Sequence, residues 1–304
     1  MFNEPKVCII LLNYNGIKDT IECIESLNNI DYNNYEIIIV DNNSSDNSQE
    51  IIQKKFPEHT FIQTGKNLGY AAGNNMGIRV ALDREADYIC VINNDVIVEK
   101  DFLTKMILYM EANTNIGVCG PTICEYMDRN KIQSSGALID LSKGEAPAIN
   151  NGKDISELYN DVIECDYVGG ACLLFKSSII DEVGFIPENY FLFYEETEFC
   201  LKIKKIGYKV CCYTKERVYH KGSASISRIG GLSGYFMNRN LVLFEKRNLE
   251  STMSFIKFLI YIYCREIYMI LKGKSSFKVL IYYYHGLTGK IDKRYGFAYI
   301  NDNY

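Results

Sequence analysis

Val7-Cys8-Ile9-Ile10-Leu11-Leu12, running into Asn13-Tyr14-Asn15-Gly16, is the stretch that decides the fold. Six apolar residues form a run of strand length, and the polar quartet that stops it has turn chemistry. Ile21, Ile24 and Leu27 then recur at helical spacing, with Asp19 and Thr20 near the start, before a second apolar run, Tyr35–Val40. Strand, helix and strand in that order predict a parallel pair. The alternation continues with a helix over 46–56, a short strand near 60–63, a helix over 72–83 and a strand over 88–92. The fold class is therefore α/β, a mostly parallel sheet flanked by helices. In such sheets ligands bind beyond the carboxyl ends of the strands, where backbone N–H groups at helix starts are free. Three segments qualify: Asn13–Gly16, Asp41-Asn42-Asn43-Ser44-Ser45, and Asn93-Asn94-Asp95.

Composition narrows the function classes. In 304 residues, 47% hydrophobic content and 23% charged residues suffice for a sizeable core and exclude a disordered or fibrous chain. A formal charge of −5 argues against an all-round nucleic-acid binder. The charge is uneven: residues 251–304 carry eight Lys/Arg against three acids, +5, which leaves the first 250 residues at −10. The 11 cysteines form no CxxC pair, and most lie in apolar runs such as 88–92. They read as small hydrophobes in a reducing compartment, not as zinc ligands. The first apolar run is too short for a secretory signal.

After about residue 120 the regular alternation weakens through a Gly-, Asn- and Ser-rich stretch, 134–160. Strands over 167–175 and 208–213 then flank a helix over 195–206. In the tail, the longest charge-free run of the first apolar segment is Phe258–Cys264, seven residues against the roughly 20 that a membrane span needs. Apolar helices edged by Lys257, Arg265, Lys272, Lys274 and Lys278 suit a membrane interface, packing on the main domain, or both.

Each candidate motif has a bland reading beside a chemical one. Asn93-Asn94-Asp95 is either a capped strand-end turn or a seat for a hard divalent cation, which needs only one or two protein carboxylates when phosphate and water complete its shell. Asp41 is either a turn and helix cap or an acceptor for a ribose hydroxyl or base N–H. Gly65, Gly69, Gly73 and Gly77 permit close backbone approach to a ligand or unusual φ values, but match neither a Walker loop nor the GxGxxG fingerprint. Glu195, Glu196 and Glu198 open a predicted helix, where acids favour the dipole; three in one turn also repel one another and raise a pKa toward that of a general base. His220 is structural or a metal or phosphate contact, with Arg228 and Arg239 downstream as candidate phosphate forks.

In order, VCIILLNYNG, IIIVDNNSSD, NLGYAAGNNMGI, ICVINNDVIVEKDFL, VGGACLLFKSS, FLFYEETEFCLKIKKIGYK and VYHKGSAS resemble the family 2 glycosyltransferases, inverting enzymes of GT-A fold, across roughly residues 6–245. The bacterial rhamnosyltransferase-type members look most similar. The resemblance implies a GT-A catalytic domain over 1–245, its nucleotide half about 1–120 and its acceptor half about 121–245, with a helical membrane-association or dimerisation segment over 246–304. It implies nucleotide contacts from Asn13, Tyr14, Asn15, Asp41, Asn43, Asn67, Gly69, Asn75, Asn93 and Asn94, and Mg²⁺ or Mn²⁺ held by Asp95 and His220. Glu196 or its neighbour Glu195 would be the base, and Gly169, Gly170, Glu198 and Arg239 would line the donor and acceptor pocket. Two positions depart from the family: Asn93 replaces the first acid of the DxD motif, and Glu195-Glu196 replaces the usual ED.

The implied partners are a nucleotide-sugar donor, with dTDP-L-rhamnose leading, and a glycan or lipid-linked acceptor at the inner face of the plasma membrane. A membrane contact and a homodimer are further implied partners, and nucleic acid is not one. UDP-hexose or UDP-N-acetylhexosamine donors, and a catalytically silent nucleotide-sugar-binding scaffold, are the alternatives.

Overall fold

The computed structural model describes residues 4–222 and 231–292. Strand β1 (Val7–Asn13), helix α1 (Ile17–Leu27), β2 (Tyr35–Asp41), α2 (Ser48–Lys55), β3 (Thr60–Gln63), α3 (Gly69–Asp83) and β4 (Tyr88–Asn93) form the expected parallel alternation. Next come β5 (Val96–Val98), α4 (Phe102–Ala112), β6 (Ile116–Glu125), β7 (Ile132–Ser134), β8 (Val162–Glu164), β9 (Cys172–Lys176), α5 (Ile179–Val183), α6 (Glu195–Lys205) and β10 (Lys209–His220). Helices α7 (Leu232–Asn248), α8 (Thr252–Leu271) and α9 (Lys278–Thr288) close the chain. The main sheet path runs β3-β2-β1-β4-β9-β6-β10-β5, with β7 on β6 and β8 on β10.

The alternation of β1 explains the layers. Val7, Ile9 and Leu11 face α1, α2 and α4 through Ile24, Leu27, Ile52, Phe102 and Met106. Cys8 and Ile10 face α3 and α6 through Ile78, Ala81, Phe199 and Ile203. The strand order reverses at β1, with β2 and β3 on one side and β4 on the other, so a crevice opens beyond Asn13 and Asn93.

Several elements differ from their sequence readings. Helix α3 begins at Gly69, not residue 72, and absorbs most of the glycine-rich stretch. A Cβ on Gly73 would lie 2.6 Å from Leu12, and one on Gly77 2.6 Å from Ile10, so these two glycines let α3 sit close on the sheet. The strand expected over 167–175 covers only Cys172–Lys176, because Gly169-Gly170 belongs to the loop before it. Strand β10 runs on past 213 through an irregularity between Tyr213 and Arg217, which makes His220 its last residue. Strand β6 hides in the sequence behind Gly117, Gly120 and Pro121; Gly120 clears the Val168 side chain.

Ten cysteines are buried and only Cys264 is exposed, none in a disulfide. Burial pushes the Cys8 and Cys124 thiols up to about 11, as expected of apolar core residues.

Helices α8 and α9 pack on α7 through Leu241, Val242, Phe258, Ile262 and Tyr283. Each such side chain contributes roughly 2 kcal/mol on burial, enough to dock the tail firmly on the α/β body. The opposite face of α8 is also apolar, with Met253, Ile260 and Leu271 exposed at 61%, 60% and 80%. No helix among the described residues is long and apolar enough to cross a membrane.

Glu245 on α7 is 1% exposed and its Oε2 has no hydrogen-bond partner. Burial, helped by Asp140, pushes its carboxyl up from 4.5 to about 8. A carboxyl raised on folding contributes stability below the unfolded value and loses it as pH rises through the folded one. Glu245→Gln should therefore melt progressively higher than wild type between pH 4.5 and 8, with a constant difference above, read by thermal denaturation across pH.

Candidate active site

The register of β1 on β2 sets Asn13 opposite Asp41. Asp41 is fully buried, and its carboxylate accepts from Asn13 Nδ2 (2.6 Å), Ser44 Oγ (2.6 Å), Ser44 N (2.9 Å) and Gln63 Nε2 (2.9 Å). These four donors fill a carboxylate's acceptor capacity. Asp41 thus ties the end of β1 to the Ser44 turn and to Gln63 at the carboxyl end of β2. Asn13, also fully buried, accepts at Oδ1 from Thr20 Oγ1 at 2.7 Å. Tyr14 and Asn15 remain half-buried at the rim and Asn43 is exposed. Asn15 and Asn43 take left-handed φ values of 52° and 64°, which asparagine tolerates.

Asn67 Oδ1 accepts from Asn42 Nδ2 (2.9 Å) and from Gly69 N (3.0 Å), so the Asn67–Gly69 turn is bolted to the end of β2. Gly69 has φ 79° and lies against the Phe191 carbonyl, with no room for a Cβ. Asn75 is turned away from this crevice: its amide clasps Ile186 O (2.8 Å) and Ile186 N (3.2 Å), bracing the 184–188 loop.

At the end of β4, Asn94 Nδ2 donates to Thr20 Oγ1 at 2.9 Å, while Asn93 lines an open cavity of about 550 Å³. Strand β5 pairs antiparallel with β10, Val96 opposite His220, and this brings Asp95 Oδ1 within 3.2 Å of His220 Nε2. Gln133 fixes the imidazole. Its Oε1 meets His220 Nδ1 at 2.9 Å, while its Nε2 donates to Glu125 Oε2 (2.9 Å) and His220 O (3.2 Å). Both of those partners only accept, so the Gln133 Oε1 must receive a proton and Nδ1–H supplies it, which leaves Nε2 directed at Asp95.

One carboxylate oxygen and one imidazole nitrogen fit a hard divalent cation that takes its other ligands from diphosphate and water. Among the described residues there is no cluster of three or more His, Cys, Asp or Glu to hold a metal by protein alone. Arg228, the other expected phosphate fork, lies outside the described residues.

The same cavity is lined by Glu195, Glu196, Gly169, Gly170, Tyr70, Leu192 and Phe193. Tyr70 donates to Gly170 O at 2.7 Å and helps to shape the wall against which the Glu196 carboxylate rests. Glu195 is 2% exposed with an unpartnered Oε2; burial, then the charge of Glu196, pushes its carboxyl well above the usual range. Burial also raises Glu196, which keeps partial access to solvent.

Glu198 and Arg239 do not line the cavity, contrary to expectation. Arg247 donates to Glu198 through Nε (2.8 Å) and Nη2 (2.7 Å), and Tyr190 OH donates to it as well. Burial opposes its ionisation, but the Arg247 and Tyr190 hydrogen bonds outweigh it and hold the carboxyl below its ordinary value. Arg239, 2% exposed, donates its guanidinium N–H groups to backbone carbonyls and to Asn240 Oδ1. Glu198 stands two positions beyond Glu196, a spacing at which helix side chains do not face each other, so it points away from Glu196 and onto α7, where Arg247 meets it.

A mixed sheet, parallel through β3-β2-β1-β4 and antiparallel where β9 meets β4 and β6, with an Asn-Asn-Asp turn at one strand end and an acid pair opening a helix across the cavity, defines the GT-A class of fold. The profile described as "Glycosyl transferase family 2" matches residues 8–184, and the chain belongs to that family. It is 27% identical over 200 residues to the low-salt glycan biosynthesis hexosyltransferase Agl10 of Haloferax volcanii, covering 65% of this chain and 61% of the relative. It is 24% identical over 238 residues to the dTDP-rhamnosyl transferase RfbF of Shigella flexneri, 71% and 72% of the two chains. Among solved structures, the mannosyltransferase PcManGT of Pyrobaculum calidifontis, in complex with GDP-Man and Mn²⁺, superposes with TM-score 0.60 at 14% identity, over 97% of this chain and 83% of that one.

The Glu198–Arg247 pair gives a stability test. Arg247→Ala leaves a buried carboxylate without its bidentate partner and should lower unfolding free energy by about 3 kcal/mol, read by urea titration. Arg247→Ala combined with Glu198→Gln should recover much of that loss.

Proposed function

We propose that the protein is an inverting, divalent-metal-dependent glycosyltransferase that moves a sugar from a nucleotide donor onto a growing glycan. One observation carries this reading: a single cavity holds the Asp95–His220 pair at the sheet end and the raised carboxyls of Glu195 and Glu196 at the helix start. A bound Mg²⁺ or Mn²⁺ would offset the charge that develops on the departing nucleoside diphosphate. Asp95 and His220 would hold it, and the Mn²⁺ in the PcManGT complex supports that ion.

The half-buried Tyr14, Asn15, Asn67 and Asn93, with the exposed Asn43, would take the nucleotide beyond the ends of β1, β2 and β4. Gly169 and Gly170 leave room for the sugar beside Glu196. In a single displacement, the acceptor oxygen forms its bond to the anomeric carbon while the bond from that carbon to the diphosphate oxygen breaks. The acceptor proton passes to the Glu196 carboxylate. Glu196 is favoured over Glu195 because it is the solvent-reaching member of the pair; Glu195, protonated by burial, relieves the repulsion between them. The rhamnosyl name of RfbF supports dTDP-L-rhamnose as the donor.

The acceptor reading follows from the tail. The exposed apolar face of α8 and α9, including Ile260, Leu271 and Phe277, is flanked by exposed Lys257, Lys272, Lys274 and Lys278. This suits an anionic bilayer surface carrying a lipid-linked acceptor. The ten buried reduced cysteines agree with its cytoplasmic side.

A nucleotide-sugar panel with Mn²⁺, read as nucleoside diphosphate release, tests the chemistry. Asp95→Ala should lose donor binding at least tenfold, whereas Glu196→Gln should keep binding and lose turnover by about 10²–10⁴-fold. Turnover by wild type should rise with pH as the base ionises. If wild type binds a donor but turns none over, the silent-scaffold alternative replaces this reading; if it binds none, both fall. Sedimentation with vesicles containing anionic lipid tests the surface: binding should weaken as salt is raised and be lost in Ile260→Asp/Leu271→Asp. Loss of a dimer without any vesicle binding would instead make the face a subunit contact.

A further inference from the structure

The five residues that lead into α6, Tyr190-Phe191-Leu192-Phe193-Tyr194, follow an improbable backbone path. Phe191, Phe193 and Tyr194 have φ values of 69°, 68° and 77°. The left-handed region is sterically unfavourable for any side chain with a Cβ, and three aromatics adopt it within four residues. Such a path persists only where surrounding groups over-determine it.

Those groups are identifiable. Asn240, fully buried on α7, donates through Nδ2 to Leu192 O (2.7 Å), Tyr190 O (3.0 Å) and Phe193 O (3.2 Å). Its Oδ1 accepts from Arg239 Nη1 at 2.6 Å. A guanidinium only donates, so the Asn240 amide has one possible orientation, with its NH₂ toward the arch. Of the other two carbonyls, Phe191 O accepts from Tyr70 N at 2.8 Å and Tyr194 O from Glu198 N at 2.9 Å. Arg239 ties the same point to two further segments: Nη1 donates to Asn189 O (3.1 Å), Nε to Lys290 O (3.2 Å) and Nη2 to Gly289 O (3.3 Å). The arch in turn carries Leu192 and Phe193 into the cavity wall beside Glu195 and Glu196, and Phe191 stacks on Phe236 with centroids 5.1 Å apart.

We propose that Asn240, backed by Arg239, is a positioning residue that clamps the 190–194 arch, setting the apolar wall of the cavity and the entry of the acid pair into α6. It touches no reacting atom. It acts by holding the carbonyls of Tyr190, Leu192 and Phe193, so that Leu192 and Phe193 face the cavity and the first turn of α6 starts at a fixed angle. The relevance to sugar transfer rests on the function proposed above; the clamp itself does not.

The 304 residues contain no tryptophan, so Leu192→Trp in this chain provides a single fluorescent reporter on the wall. Asn240→Asp keeps the side-chain size but replaces the donating NH₂ with an acceptor facing three carbonyls. In that background the reporter should shift to the red and its quenching by acrylamide should rise several-fold, while UDP and dTDP binding with Mn²⁺ changes little. Turnover in the nucleotide-sugar panel should fall about 100-fold, the scale of a small misplacement of catalytic groups.

Arg239→Lys, which keeps the charge and loses the fork, should move the reporter the same way by less, and it serves as the readout if Asn240→Asp does not fold. Unchanged emission and quenching in both variants, with only a lowered melting temperature, would overturn the proposal and leave the pair as packing. A reporter that moves in a protein with no wild-type turnover would uphold the clamp and sink the transferase reading.

Discussion

Strand β1 has sheet neighbours on both sides and helices on both faces, and its first five side chains are completely buried. A strand so placed can carry no chemistry along its length. Its polar residues are pushed to the carboxyl end, where the chain leaves the ladder and backbone groups need new partners. The same constraint acts on β2 and β4, so Asn13, Asp41 and Asn93 arrive together at one edge of the sheet. The network of Asn13, Thr20, Asn42, Ser44 and Asn94 is the response: buried amides and hydroxyls satisfy one another and leave a rigid polar rim.

The second half of the site obeys a different rule. Glu195 and Glu196 are held where burial disfavours their charge, and the chain reaches them through an arch with three left-handed aromatics. Neither feature helps stability, and both are concentrated at the one cavity that also contains His220. Hydrogen-bonded polar scaffolding at the ends of β1, β2 and β4 thus faces raised carboxyls and backbone strain at the start of α6. On the function proposed above, that division would suit rigid binding of one substrate and proton transfer from the other.

The tail joins these halves to the surface. Helices α7 and α9 support the arch from behind through Arg239 and Asn240, while α8 turns an apolar face outward. Helix α8 is apolar on both sides, with Phe258 and Ile262 inward and Ile260 and Leu271 outward. Only the inward contacts are needed to hold it in place.

The sequence by itself determined the parallel alternation through β4, the polar strand ends, the acid-rich start of α6 and the apolar cysteines. Each is a local pattern of period or turn chemistry that a one-dimensional reading can detect. Only the tertiary structure decided which of those polar groups meet. Asp95 and His220 are far apart in sequence and are joined by a three-residue antiparallel pairing. Gln133, a bare glutamine on a short strand, carries no signal that it orients the imidazole. Asp41, Asn75, Glu198 and Arg239 each carry protein hydrogen bonds that no sequence pattern announced. A residue's type sets what it can bond, but its distance and direction to a partner come from the long-range pairing of strands and helices, which no local pattern records.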